Sequence, residues 1–125
     1  MTENQISKII VDCAYQLHVA IGPGCFESVY ETILTKLLTD RGLRVQTQVT
    51  MPVYWEGEKL DRGFVIDMLV EDKVIIELKS VEALQKVHYK QVITYLKLSD
   101  KRLGLLVNFN EALIKDGIKR VVNRL

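Results

Sequence analysis

Phe64-Val-Ile-Asp-Met-Leu-Val-Glu-Asp-Lys-Val-Ile-Ile-Glu-Leu-Lys79 reads as two strands joined by a tight turn. Both runs are rich in Val, Ile, Leu and Met, the composition of strands inside a core. Asp67, Glu77 and Lys79 interrupt that apolar text. Charges on core strands must be paired, bound to a metal or gathered at a site, because burying an isolated charge is very costly. Strand side chains alternate between faces. Val74, Ile76 and Leu78 therefore share one face, and Ile75, Glu77 and Lys79 the other. On the preceding strand, alternation puts Asp67 with Val65 and Leu69. If Glu71-Asp72-Lys73 is the loop, Val70 pairs with Val74 and Asp67 stands opposite Glu77. Opposed residues share a face, with Cβ atoms roughly 5 Å apart. Two carboxylates that close repel unless a cation lies between them. A two-residue loop would slip the register by one and send the acids to opposite faces.

Working outward, the 125 residues suit one domain, 1–125, with a core of its own. A hydrophobic content of 48% is ordinary for a globular chain, and no apolar run reaches the roughly 20 residues of a membrane span. The start, Met-Thr-Glu-Asn-Gln, lacks the basic and apolar segments of a signal peptide, so a cytoplasmic location is expected. Cys13 and Cys25 have no ligand-like spacing and read as free thiols. The net charge of +1 excludes a broad basic field, so any nucleic-acid contact must come from local patches.

Thr2 and Gln5 have capping-box spacing, and Ile6, Ile10, Cys13 and Leu17 then recur as a helical stripe that Ile-Gly-Pro-Gly24 ends. A second helix is expected from about Cys25 to Arg41, with Glu27 in its first turn. There Glu27 either complements the helix dipole or serves a site. Val45–Trp55 reads as a strand whose Pro52 argues for an edge or a bulge. Glu56–Lys59 is a turn, and Leu60–Arg62 leads into the Asp67 strand. Ser80 would cap a third helix over about Val81–Leu98, on which Leu84, His88, Gln91 and Tyr95 form one stripe. That stripe either passes beside the site or consists of half-exposed polar residues and a core tyrosine. Leu103–Phe109 reads as a buried strand, Asn110–Gly117 as a loop with or without a short turn of helix, and Ile118–Asn123 as a strand or helical turn. The order gives an α/β sandwich: an antiparallel meander, a crossover helix and a returning strand in a mixed sheet.

Gly24-Cys-Phe-Glu27-Ser-Val-Tyr30, Asp67, Glu77-Leu-Lys79 and Gln91-Val-Ile-Thr-Tyr95 occur in that order. The set resembles the PD-(D/E)XK nuclease superfamily, and its first member resembles the Gly-x-x-Glu-x-x-Tyr signature of a small bacterial family within it. Glu-x-Lys alone is a weak signal; the joint occurrence is a specific one. Ile66 stands where the superfamily's name has proline. The resemblance implies a restriction-endonuclease-like αβββαβ core, a mixed sheet flanked by helices, and an extra N-terminal helix. It implies hydrolysis of phosphodiester bonds in DNA with Mg²⁺ or Mn²⁺. Asp67, Glu77 and the Leu78 backbone carbonyl would be metal ligands, with Glu27 a further ligand or a holder of water. Lys79 would orient the attacking water or offset charge developing on phosphate. Tyr30, His88, Gln91 and Tyr95 would support the site or touch substrate. A buried ion pair of Lys79 with Asp67 or Glu77 is the structural alternative for the strand charges. A catalytically inactive module that binds nucleic acid or a protein partner is the functional alternative. RNA stays open as a substrate, as does a homodimer; no membrane partner is expected.

Overall fold

Thr2 starts the chain's first helix. Its hydroxyl accepts the Gln5 N–H at 3.2 Å and its own N–H donates to Gln5 Oε1 at 2.9 Å, closing a capping box. The computed structural model describes the backbone of residues 1–125 and every side chain except that of Arg62. Helix α1 covers Glu3–Ile21 and α2 Glu27–Asp40. Strands β1 (Val45–Trp55), β2 (Glu58–Val70) and β3 (Val74–Lys79) follow. Then come α3 (Lys86–Ser99), β4 (Leu103–Asn108), the single turn α4 (Ile114–Gly117) and β5 (Ile118–Val122). The five strands lie in sequence order. All neighbours are antiparallel except β3 and β4, which the α3 crossover makes parallel. This mixed sheet with helices on both sides is a restriction-endonuclease-like fold preceded by an extra helix. Among the described residues, no helix is long and apolar enough to cross a membrane.

Both sheet faces are buried. Val70, Val74, Ile76, Leu78, Leu105 and Val107 pack under α1 and α2. Ile75 and Leu106 pack under Val92 and Leu96 of α3. A strand covered on both sides reads as an unbroken apolar run, as Leu103–Val107 does. Ile118–Val122 resolves as an edge strand on β4. Pro52 lies on the opposite edge strand, β1, where the register shifts between Pro52 and Val53. Both tolerated settings for a strand proline are therefore met.

The three-residue loop of the opening stretch forms as its length predicts. Val70 pairs with Val74, and the Lys73 N–H donates to the Val70 carbonyl at 3.0 Å. Glu71 and Asp72 both take φ of 54°, the left-handed conformation whose twist suits a hairpin. The Glu71 carboxylate accepts the Arg44 N–H at 2.8 Å, while the Glu71 N–H donates to the Arg44 carbonyl at 2.9 Å. The turn is thereby pinned to the start of β1. This bonding, with the Arg44 N–H first, holds the Glu71 carboxyl below its ordinary pKa.

Two expectations need correction. The third helix begins at Lys86, not Val81, and its N-cap is Gln85, not Ser80. The Asn108 side chain has captured both polar groups of Val81, accepting its N–H at 3.1 Å and donating to its carbonyl at 2.9 Å. Ser80 Oγ donates instead to the Cys25 carbonyl at 3.0 Å. The segment before the helix is thus tied down in a non-helical form, and Leu84 lies ahead of the stripe it was expected to begin. The second correction concerns face alternation on β2. Met68 and Val70 face α1 and α2, but Phe64 and Ile66 pack with Leu69 on the α3 side, and Val65 is 51% exposed. The phase flips at Asp67. It flips on β1 as well, between Val45 and Val49, where Gln48 has φ of 49°. The two strands turn together there and carry Phe64 onto Tyr95, with ring centroids 4.6 Å apart.

Candidate active site

Regular pairing between β2 and β3 runs from Val70–Val74 to Met68–Ile76. Just beyond, carboxylates take the place of ladder bonds. Asp67 Oδ2 accepts the Leu78 N–H at 2.8 Å, and Glu77 Oε1 accepts the Asp67 N–H at 3.2 Å. Each acid bonds the backbone of the facing strand, so both are fixed by the fold and stand side by side. Glu77 is buried and Asp67 is half-buried. Burial first, and then the neighbouring Asp67 charge, push the Glu77 carboxyl up from its ordinary 4.5 to about 8. The Asp67 N–H and the Lys79 ammonium pull the other way and are outweighed.

Lys79 follows on the same strand and is half-buried. Among the described residues it forms no ion pair with Asp67 or Glu77 within 4.0 Å; the salt bridges join other residues. The buried ion pair that could have explained these charges is therefore not formed.

Asp67 opens onto a pocket of about 270 Å³ lined by Glu27, Ser28, Glu31, Gln48, Asp67 and Leu78. Glu27 is the first residue of α2 and is exposed at its N-terminus, where the helix dipole favours a carboxylate. The loop that delivers it is fastened from beneath. Tyr30 is fully buried and stacked on Phe109 with centroids 4.3 Å apart. Its hydroxyl donates to the Gly22 carbonyl at 2.7 Å and accepts the Cys25 N–H at 3.1 Å. Gly24 takes φ of 95° between those anchors, a conformation that side-chain-bearing residues rarely adopt. The spacing Gly24, Glu27, Tyr30 thus has a local physical basis: a turn, an acid at the pocket and a pin. Tyr30→Phe should cost about 1–3 kcal/mol of stability in urea unfolding, because a half-buried N–H and a carbonyl lose their partner.

From the other face, α3 presents Tyr95. Its hydroxyl pKa is raised by burial and then by the charges of Glu77 and Asp67, with the Gln91 side chain acting in the opposite sense. Tyr95 thus lies near the carboxylates, while Gln91, one turn before it on α3, is exposed. His88 is engaged elsewhere: its Nδ1 accepts the Gln85 N–H at 2.9 Å and helps close the cap of α3.

Three pocket residues went unanticipated: Ser28, Glu31 and Gln48. Glu31 lies one turn beyond Glu27 and accepts a hydrogen bond from Gln48 Nε2 at 2.8 Å. The same Nε2 reaches Asp67 Oδ1 at 3.4 Å, so Gln48 links α2 to the strand acids. The i, i+4 relation of Glu31 to Glu27 was a usable signal. Gln48 carried none, because its position follows only from the β1–β2 register.

The donors around Asp67 are hard oxygens, which suit Mg²⁺ or Mn²⁺ rather than a thiolate- or imidazole-seeking ion. Among the described residues, no three His, Cys, Asp or Glu side chains form a ready-made metal cage. Mg²⁺ does not require one, since it keeps several waters and binds through one or two carboxylates. Two adjacent acids, each fixed by a backbone hydrogen bond, fit such an ion.

A family model described as the PD-(D/E)XK nuclease superfamily matches residues 4–121. No curated protein and no solved structure gives a significant match to the chain.

Proposed function

Because the chain belongs to the PD-(D/E)XK nuclease superfamily, we propose that it hydrolyses phosphodiester bonds in DNA with the help of Mg²⁺ or Mn²⁺, as a single nuclease-like domain. The observation that carries this reading is the pairing of Asp67 with Glu77 in the strand gap, with Lys79 beside them and, among the described residues, in no ion pair. The Gly24–Tyr30 segment supports the finer assignment to the Gly-x-x-Glu-x-x-Tyr family, since each of its three signature residues has a defined task in building the site.

Asp67 and Glu77 would hold the divalent ion, with the Leu78 carbonyl as a third donor. The bound ion would supply Lewis-acid polarisation of the phosphoryl oxygen and offset negative charge at the transition state. Glu27 and Glu31 stand on the α2 side of the pocket, where a carboxylate can accept hydrogen bonds from the attacking water and orient it. Attack in line with the leaving oxygen places negative charge on the phosphoryl group. Lys79, whose ammonium is a hydrogen-bond donor, would stabilise that charge. Tyr95, near the carboxylates on α3, would help fix the substrate, with Gln91 acting on its hydroxyl.

The test is cleavage of single- and double-stranded DNA in Mg²⁺, in Mn²⁺ and in EDTA. Cleavage should require the divalent ion, and Lys79→Ala should lower the rate by about 10²–10³-fold while leaving Mn²⁺ affinity within about 3-fold of wild type. No cleavage of any DNA or RNA substrate in either metal would sink the nuclease reading. The alternative reading is a module that binds nucleic acid without cutting it. DNA binding with no metal-dependent cleavage would support that reading instead.

A further inference from the structure

Phe26 immediately precedes Glu27, and at 78% exposure it is the most exposed large hydrophobic side chain among the described residues. Its surroundings are not those of a loose loop tip. Cys25, just before it, has its N–H held by Tyr30 and its carbonyl held by Ser80. Phe26 itself is the N-cap of α2, with extended φ and ψ of −74° and 148°. A hydrophobic residue at a helix start often serves as a staple against the helix, but a ring this exposed makes no such contact. The backbone beside Phe26 is therefore held, while its ring is left largely in solvent.

The ring lines a cleft of about 370 Å³ together with Gly24, Cys25, Glu27, Ser80 and Asn110. Glu27 lines this cleft and the Asp67 pocket alike, so the two hollows adjoin. On the far side, beyond Ser80, another hollow is bordered by Val81, Gln85 and His88. The phenyl ring thus stands in a cleft that adjoins the candidate metal site through Glu27.

We infer that Phe26 is a stacking platform for the nucleobase next to the scissile phosphate, and that the preferred substrate is therefore single-stranded or unpaired at that nucleotide. This rests on the nuclease reading above and names the form of substrate that its site accepts. A base offers its face to a side chain only after leaving its own stack, at a cost that is least in a single strand or frayed end. Stacking on an aromatic ring tolerates any base, so the platform confers a preference for strandedness rather than for sequence.

The test uses the full chain carrying Asp67→Asn, in EDTA so that no hydrolysis occurs, with oligodeoxynucleotides containing 2-aminopurine. Single strands should bind more tightly than the matched duplex, with the probe quenched at one position. Phe26→Ala should weaken single-strand binding by about 10-fold. Phe26→Trp should retain it, and Phe26→Leu, apolar but unable to stack, should behave like Ala. In the otherwise wild-type chain with Mg²⁺, Phe26→Ala should raise KM for single strands by about 10-fold and leave kcat within about 3-fold. The ring is exposed, so these variants should unfold in urea as their parent does. Equal binding by the Phe26→Ala variant, equal affinity for duplex, or full retention by Leu would each overturn the inference. So would a change in sedimentation showing that Phe26 joins two copies of the chain. Wild-type cleavage that is indifferent to Phe26 would overturn stacking alone; a chain that neither binds nor cleaves nucleic acid would overturn the nuclease reading as well.

Discussion

Asp67→Asn is expected to abolish DNA cleavage while leaving the fold intact. The asparagine side chain keeps an acceptor for the Leu78 N–H, which Asp67 Oδ2 holds at 2.8 Å. It loses the negative charge that a divalent ion requires. The metal's contribution to transition-state stabilisation is worth several kcal/mol, so the rate should fall by about 10³-fold or more. Mn²⁺ affinity should fall with it. Asp67→Ala is the less informative variant, because it also leaves a half-buried backbone N–H unsatisfied at a cost of about 1–3 kcal/mol. A folded Asp67→Asn protein that cuts DNA at the wild-type rate would remove Asp67 from the site.

Glu77 carries the second large expectation, a pH dependence of stability in the metal-free protein. Its carboxyl titrates near 4.5 in the unfolded chain and is pushed up to about 8 in the folded one. Below 4.5 both states are protonated and Glu77 adds no pH-dependent cost. Between 4.5 and 8 the unfolded state ionises while the folded state holds its proton, so stability falls as pH rises. Above 8 the folded state ionises too and the loss is complete, on the order of 5 kcal/mol as an upper bound. Glu77→Gln keeps an acceptor for the Asp67 N–H and cannot ionise. It should remove most of this slope and raise the Tm at pH 9 by roughly 10 °C over wild type. Mg²⁺ should do the same for wild type, since a bound cation makes the ionised acid favourable. Thermal unfolding from pH 5 to 9 in EDTA measures the slope. Identical slopes in wild type and Glu77→Gln would show that Glu77 is not held protonated by its neighbours.

Much of this arrangement was legible in the residues themselves. The loop Glu71–Lys73 sets the register of β2 on β3, and its length predicts the pairing of Val70 with Val74, beyond which Asp67 and Glu77 meet. Thr2 and Gln5 announced α1 through hydrogen bonds that depend only on local spacing. What stayed hidden depended on partners distant in sequence. Ser80 and Val81 have the local character of a helix start, but Cys25 and Asn108 compete for their polar groups. The face switch at Gln48 and Asp67 arises because two paired strands turn together over α3, and no periodicity within one strand foretells that. Gln48 was invisible as a site residue for the same reason. The Glu27 spacing was readable, whereas the exposed ring of Phe26 became meaningful only once the cleft beside it was known.

The central claim is that Asp67 and Glu77 together hold a divalent cation. Crystals soaked in Mn²⁺ and measured at a wavelength sensitive to manganese test it most directly. The expected result is an anomalous peak contacting both carboxylates, beside the Leu78 carbonyl and on the side open to Glu27. Absence of a peak there at a Mn²⁺ concentration that supports cleavage in solution, or a peak that leaves both carboxylates untouched, would contradict it.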